Sequence, residues 1–287
     1  MENKEGVLLT DPIEIEKEAL DHYKNLFNDL PIHSDYQEVK TMKENLFVNR
    51  LKACAKNKTD PWTMDDLELA LKGLKNGTSR DPLGYPNELF KSKVAGIDLK
   101  EATLKLMNKI KEEQEIPKTL QLCNITPIYK KKGKRNNFNS YRGIFRITVL
   151  RSILDRLIYN DMYEIMDSNL SDCNVGNRKR RNIRDNLFVL NATLNATKRK
   201  TEDPIDIGVY DVQKCFDTMW ASEALNDAYE LGFTNDKLLL VHLTNKHASI
   251  AIKSSTGISQ RTDIKDVIMQ GTVWAGMLCT STMDKLG

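Results

Sequence analysis

The chain lacks the features that most readily assign a protein. Its five cysteines (Cys54, Cys123, Cys173, Cys215, Cys279) stand far apart, with no Cys-x-x-Cys pair and no histidine nearby. That spacing argues against a zinc site or a disulfide framework and fits a reducing compartment. Cys215 and Cys279, set in apolar runs, read as small buried hydrophobes rather than nucleophiles. The four histidines (His22, His33, His242, His247) form no ligand spacing. No signal peptide opens the sequence. The longest charge-free run, 267–283, is broken by Gln270, two glycines and several threonines, and falls short of the ~20 apolar residues that cross a membrane. These absences predict an intracellular protein, nuclear or cytoplasmic, neither secreted nor membrane-bound. There is no internal repeat and no low-complexity segment. One-sided charge is missing too: 43 Lys and Arg face 40 Asp and Glu, for a net charge of +3. Any affinity for a polyanion must therefore come from local clusters.

Two such clusters are present, Lys130-Lys131-Lys132-Gly133-Lys134-Arg135 and Arg178-Lys179-Arg180-Arg181, with Arg184 just beyond the second. The rest is ordinary globular material. With 287 residues, 40% of them hydrophobic, the chain can bury a real core as one large domain or two small ones.

Hydrophobic periodicity predicts a helix through Ile13, Ala19, Tyr23 and Phe27, then a polar stretch to Asp60, so that 1–60 reads as an N-terminal helical extension or linker. Thr63, with Asp66 three residues on, predicts a capped helix start, and Asn76-Gly77 its end. Residues 79–88 read as a loop from their Pro and Gly content. Further helices are expected over 99–111, 150–166 and 183–197, the last with Leu187, Leu190 and Leu194 on one face. Ser222 would cap another helix, stopped by Gly232, and 238–243 lie on the next. Strands are expected over 124–129 and in a hairpin of 248–252 with 264–269, which leads into Gln270-Gly271. Helices interleaved with a few strands make the fold α+β.

The most informative stretch runs Ile205-Asp206-Ile207-Gly208-Val209-Tyr210-Asp211-Val212, with Phe216 beyond it. Its apolar alternation predicts a strand that delivers Asp211 at its end. A carboxylate buried there is costly unless a cation neutralises it, so the pattern suggests a metal site or a structural cap.

Four features stand in order: a strand running into a lysine cluster and Tyr141-Arg142-Gly143-Ile144; a basic Gly-containing segment over 176–181; the Asp211/Phe216 motif; and a hairpin ending in Gln270-Gly271. That order resembles the reverse transcriptase domain of LINE-type (non-LTR) retrotransposons, from about Trp62 to Gly287. The resemblance implies right-hand polymerase fingers and a partial palm, with 61–203 as fingers and start of palm and 204–287 as partial palm with a fingers hairpin. It implies an RNA-directed DNA polymerase whose partners are an RNA template, a DNA primer and a dNTP. Nucleotidyl transfer in that family uses two Mg²⁺ ions. Asp211 then matches the first catalytic carboxylate, and the Val212 carbonyl a further metal ligand; Asp217 reads as helix-starting.

Phe216 matches the aromatic gate that leaves no room for a 2′-hydroxyl; its alternative is a core residue. Lys130, Lys131, Lys132 and Arg142 match groups that contact the triphosphate, with a solvated loop or a nuclear import patch as the alternative for the lysines. Arg178, Lys179, Arg180 and Arg181 match a template-backbone track, or a solvated charge run. Gln270 and Gly271 match the Gln-Gly pair beside the nascent base pair. Two segments depart from the pattern. Thr272-Val273-Trp274 replaces the more usual Cys-Pro-Leu, and Arg80-Asp81-Pro82-Leu83-Gly84 replaces Pro-Gly-Pro-Asp-Gly. The family's Asp-Asp hairpin would come after Gly287, as would the thumb, so the chain reads as a polymerase fragment. The alternative is a catalytically dead nucleic-acid-binding remnant or scaffold module.

Overall fold

The structure is a computed structural model; it describes residues 1–3, 5–28, 36–92, 96–200, 205–212, 215–254, 257–265 and 268–285. Helices dominate, around a small mixed four-stranded sheet, so the α+β expectation holds.

Two hydrophobic cores organise the described residues. The sheet has the order β2–β1–β3–β4, built from β1 (Leu122–Tyr129), β2 (Tyr141–Ile147), β3 (His247–Ile252) and β4 (Thr262–Lys265). β1 pairs antiparallel with β2, Ile128 facing Arg142, and parallel with β3, Leu122 facing Ser249. The β3–β4 pair is an antiparallel hairpin as expected, but its second strand is Thr262–Lys265 and shares only 264–265 with the expected 264–269. Helix α1 (Pro12–Asn28) lays Ala19, Tyr23 and Phe27 across this sheet, onto Phe145, Ile250 and Ile264. Gly143 of the Tyr-Arg-Gly-Ile segment makes this docking possible, because a Cβ there would stand 2.5 Å from the Tyr23 ring.

The larger core is helical. Its centre is α6 (Val149–Asp167), with Ile153, Leu154, Leu157, Ile158 and Met162 almost fully buried. Around it stand α3 (Met64–Lys72), α4 (Asn87–Lys91), α5 (Gly96–Glu113), α9 (Ala221–Glu230), α10 (Asp236–Lys246) and α11 (Ala275–Asp284). Thr63 caps α3 as its sequence predicts: its side chain accepts from the Asp66 N–H at 3.3 Å, while the Asp66 carboxylate accepts from the Thr63 N–H at 2.8 Å. The helix closes early, at Gly73, and Gly77 (φ +68°) turns the chain after it.

Within α6 a fully buried Arg151 pairs with Asp155 at 2.6 Å and donates to the Thr244 carbonyl at 2.6 Å, which ties α6 to α10. Burial pushes the Asp155 carboxyl above its ordinary range, with Arg151 pulling the other way.

The polar stretch expected before Asp60 is instead a helix, α2 (Gln37–Lys56). Its apolar stripe is narrow: Phe47, Leu51 and Cys54 meet the helical core, and the remainder is held by polar contacts to α9. Lys43 pairs with Glu223, and Arg50 reaches Glu230 at 2.9 Å and the Asn226 carbonyl at 3.2 Å. Tertiary partners decide this helix; its own periodicity is too weak to announce it. Ser222 is buried inside α9, and Trp220 occupies the N-cap without a side-chain bond.

Helix α7 (Ile183–Lys200) forms where expected, yet none of its residues is buried, and Phe188 is 75% exposed. This contrast makes a stability prediction. Leu154→Ala should cost about 2–5 kcal/mol through lost burial and the cavity left behind. Phe188→Lys should change stability by no more than about 0.5 kcal/mol. Urea unfolding of both variants checks the pair, and equal losses would contradict this packing.

Candidate functional site

The β1–β2 hairpin sets one wall of a polar cleft. Tyr129 and Tyr141 close the two strands on each other with ring centroids 5.5 Å apart. Their hydroxyls then pin the lysine loop, Tyr129 to the Gly133 carbonyl at 2.7 Å and Tyr141 to the Arg135 carbonyl at 2.8 Å. Lys131 and Gly133 take left-handed conformations (φ 58° and 83°), which fold the loop back. The Lys130 amide donates to the Ser140 carbonyl at 2.8 Å, and its ammonium to the Asn139 carbonyl at 2.9 Å. One of the three ammonium hydrogens is used there, and the side chain stays exposed. Arg142 projects from β2 and is likewise exposed.

The opposite wall comes from Asp211, Val212 and the start of α8 (Cys215–Thr218), with Phe216 half-buried against the helical core. Gln270 contributes from the segment after the hairpin. Its carbonyl accepts from the Phe145 amide at 3.1 Å, which stitches that segment to β2. Gly271 adopts φ +120°, and a Cβ there would lie 2.9 Å from the Phe145 carbonyl oxygen. Both conformation and space require glycine at this position. Gly271→Ala is expected to lower stability by roughly 1–3 kcal/mol and to displace Gln270. Thermal melts check the first effect, and the chemical shift of the Gln270 side-chain amide checks the second.

Together these residues enclose about 1160 Å³, lined by Lys130, Lys132, Arg142, Asp211, Val212, Phe216 and Gln270, with Gly133, Asn139, Ser140 and Cys215 between them. Positions separated by up to 140 residues in sequence thus share one cleft, cationic on the hairpin wall and carrying a carboxylate on the other. Lys131 and Gly271 do not line it.

Two expectations change here. Residues 205–212 form no strand: Val209 is 88% and Tyr210 94% exposed, and Asp211 lies on the surface rather than at a buried strand end. A strand needs a neighbour to pair its backbone, and none of the four described strands pairs with this segment. Asp217 falls within α8, but its side chain is outside the described residues.

Arg178 also departs from its expected place among backbone-tracking cations. It is buried, with its guanidinium on the Asp167 carboxylate at 2.7 Å and on the carbonyls of Ser171, Asn174 and Asp167. It thereby organises the loop that follows α6. Lys179, Arg180 and Arg181 remain exposed. The Lys179 ammonium sits 4.1 Å from the Tyr163 ring centroid, and Arg181 pairs with the exposed Asp172 at 2.7 Å.

Sequence reasoning passed over Asp81. Its carboxylate accepts from the amides of Leu83, Tyr85 and Val149, shaping the 79–88 loop and capping α6. An Asp just before Pro-Leu-Gly carried that signal in its turn chemistry. Asp284, the last residue of α11, accepts from the Ser171 amide and the Asn174 side chain.

Among the described residues no group of three or more His, Cys, Asp or Glu could hold a metal ion, and no helix is long and apolar enough to cross a membrane. No protein-family model matches the chain.

Proposed function

We propose that this chain is the fingers and partial palm of an RNA-directed DNA polymerase of the non-LTR retrotransposon type, and that its cleft receives the incoming dNTP. The observation that carries this reading is the convergence of Lys130, Lys132, Arg142, Asp211, Val212, Phe216 and Gln270 on one cleft. The resemblance implies a role at the nucleotide for each of these positions, and nothing in their sequence separation requires them to meet. Lysine and arginine on the hairpin wall suit the oxygens of a triphosphate. Phe216, half-buried on the facing wall, offers a flat apolar surface of the kind that excludes a sugar 2′-hydroxyl.

The donor set suits Mg²⁺ only in part. Asp211 and the Val212 carbonyl are hard oxygen ligands, and Mg²⁺ fills its remaining positions with phosphate oxygens and water. They would hold one ion arriving with the triphosphate; when bound, it neutralises phosphate charge. Around it the chain's own groups bind and orient: the hairpin cations hold the phosphates, and Phe216 and Gln270 flank the nucleoside. RNA template and DNA primer would pass the exposed Lys179, Arg180 and Arg181.

The test is equilibrium binding of dATP and ATP to the purified chain with Mg²⁺ present. Lys130→Ala combined with Arg142→Ala should weaken dATP at least tenfold, since a charge-assisted contact contributes about 1.5–3 kcal/mol. Lys131→Ala should leave affinity unchanged. Phe216→Ala should narrow the preference for dATP over ATP. Equal binding by wild type and the double variant would overturn the reading.

A second reading, a nucleic-acid-binding module without chemistry, is favoured by the surface placement of Asp211. It predicts duplex binding with no dNTP binding at all, which the same titrations separate.

A further inference from the structure

Cys215 and Cys279 lie 64 positions apart, yet their sulfurs stand 3.1 Å from each other. Both are free and half-buried, whereas Cys54 and Cys123 are buried and Cys173 is exposed. Cys215 opens α8 and lines the large cleft beside Val212 and Phe216. On its other side it borders a smaller cavity of about 240 Å³ with Met219, Trp220 and Met283. Cys279 faces it from α11.

We propose that Cys215 and Cys279 form a reversible intramolecular disulfide on exposure to a peroxide, locking the segment that follows Asp211 onto α11. The chemistry balances with peroxide as the oxidant. The Cys215 sulfur takes one peroxide oxygen as the O–O bond breaks, giving a sulfenic acid and the first water. The Cys279 sulfur then displaces that oxygen: the S–S bond forms, the S–O bond breaks, and the departing hydroxide takes the Cys279 proton as the second water. Two thiols have lost two hydrogens, and one peroxide has become two waters.

Geometry assigns the roles. Cys215 borders both cavities, so a small oxidant reaches it. Burial above all, then the neighbouring Cys215 thiol, pushes the Cys279 thiol up to about 12, so it stays protonated and acts second. A thiol pair held in contact reacts as an intramolecular partner, ahead of thiols that must meet by diffusion. The consequence reaches the cleft, since the bond would fix one wall of it relative to the helical core. This inference stands whether or not the cleft binds a nucleotide.

The test uses the reduced full chain, treated with hydrogen peroxide in native buffer, quenched with a thiol-blocking reagent and digested without reductant. Two of the five thiols should disappear, a linked peptide pair containing Cys215 and Cys279 should dominate, and dithiothreitol should restore both thiols. Cys279→Ser should abolish the link and leave a sulfenic acid on Cys215, trapped by a dione probe. The same oxidation in guanidinium provides the unfolded reference. Links spread among the cysteines alike in native buffer and in guanidinium would overturn the proposal. So would loss of Cys173 alone with Cys215 and Cys279 still blocked by the quench.

Discussion

Primer extension by this chain on an RNA template is expected to stay at the level of an Asp211→Ala control. Among the described residues lining the cleft, Asp211 carries the one carboxylate, and its other charged neighbours there are cations. Two divalent ions a few ångströms apart repel strongly, and holding them takes about three negative charges besides the triphosphate. One carboxylate and a backbone carbonyl do not meet that need. The loss should span many orders of magnitude, since each ~1.4 kcal/mol of transition-state stabilisation is a factor of ten in rate. A longer version, carrying an Asp-Asp hairpin beyond the Gln-Gly pair, is expected to extend the primer. Hydrogen exchange on that version gives a second readout: amides over 207–210 should become protected as the new strand pairs with them. Extension by the 287-residue chain above the control would sink this expectation. Asp284, now engaged with Ser171 and Asn174, would then be the first carboxylate to mutate.

The exposed apolar groups bear on the same unpaired segment. Ile207, Val209 and Tyr210 face solvent along an extended segment, and Leu187, Phe188 and Leu190 do so along α7. Their patterning is that of core elements: alternation in one, helical spacing in the other. Sequence predicts the type of element from such spacing, but a strand also needs a partner, and the described residues provide none. The 205–210 expectation therefore failed on pairing, while α7 formed because a helix satisfies its backbone within itself.

Elsewhere legibility followed the strength of local signals. The Thr63–Asp66 capping box and the apolar stripe of α6 could be read directly, and the β3–β4 hairpin in kind though not in the bounds of its second strand. Helix α2 could not, since Arg50 and Lys43 find their partners in α9, far along the chain. In the candidate site the hairpin cations and Gln270 were legible through motif order. Asn139, Ser140 and Cys215 were not, because their place in the cleft depends on how the hairpin loop and α8 fold against each other. The approach of Cys215 to Cys279 is a wholly tertiary fact.

The basic run 178–181 supplies the second large effect, because its members differ in burial despite looking alike in sequence. Arg178→Ala should destabilise the fold by roughly 2–4 kcal/mol, somewhat less than a fully buried pair because Asp167 keeps part of its exposure. The change takes the cation from the Asp167 carboxylate and removes a charged donor from the carbonyls of Ser171 and Asn174, the first of which keeps the Asn174 amide. Lys179, Arg180 and Arg181 changed together to Gln should behave oppositely. Stability should stay within about 1 kcal/mol, since the Arg181–Asp172 pair is exposed and the Lys179–Tyr163 interaction is weak. Affinity for an RNA/DNA duplex should fall at every sequence tested, and its dependence on salt should flatten by about 0.7–0.9 in log–log slope for each phosphate that the variant no longer neutralises. Urea unfolding and binding titrations at several salt concentrations separate the two outcomes. A triple variant with unchanged salt slope would remove this loop from the nucleic-acid path. An Arg178→Ala protein as stable as wild type would mean that the loop after α6 is held by something other than the buried guanidinium.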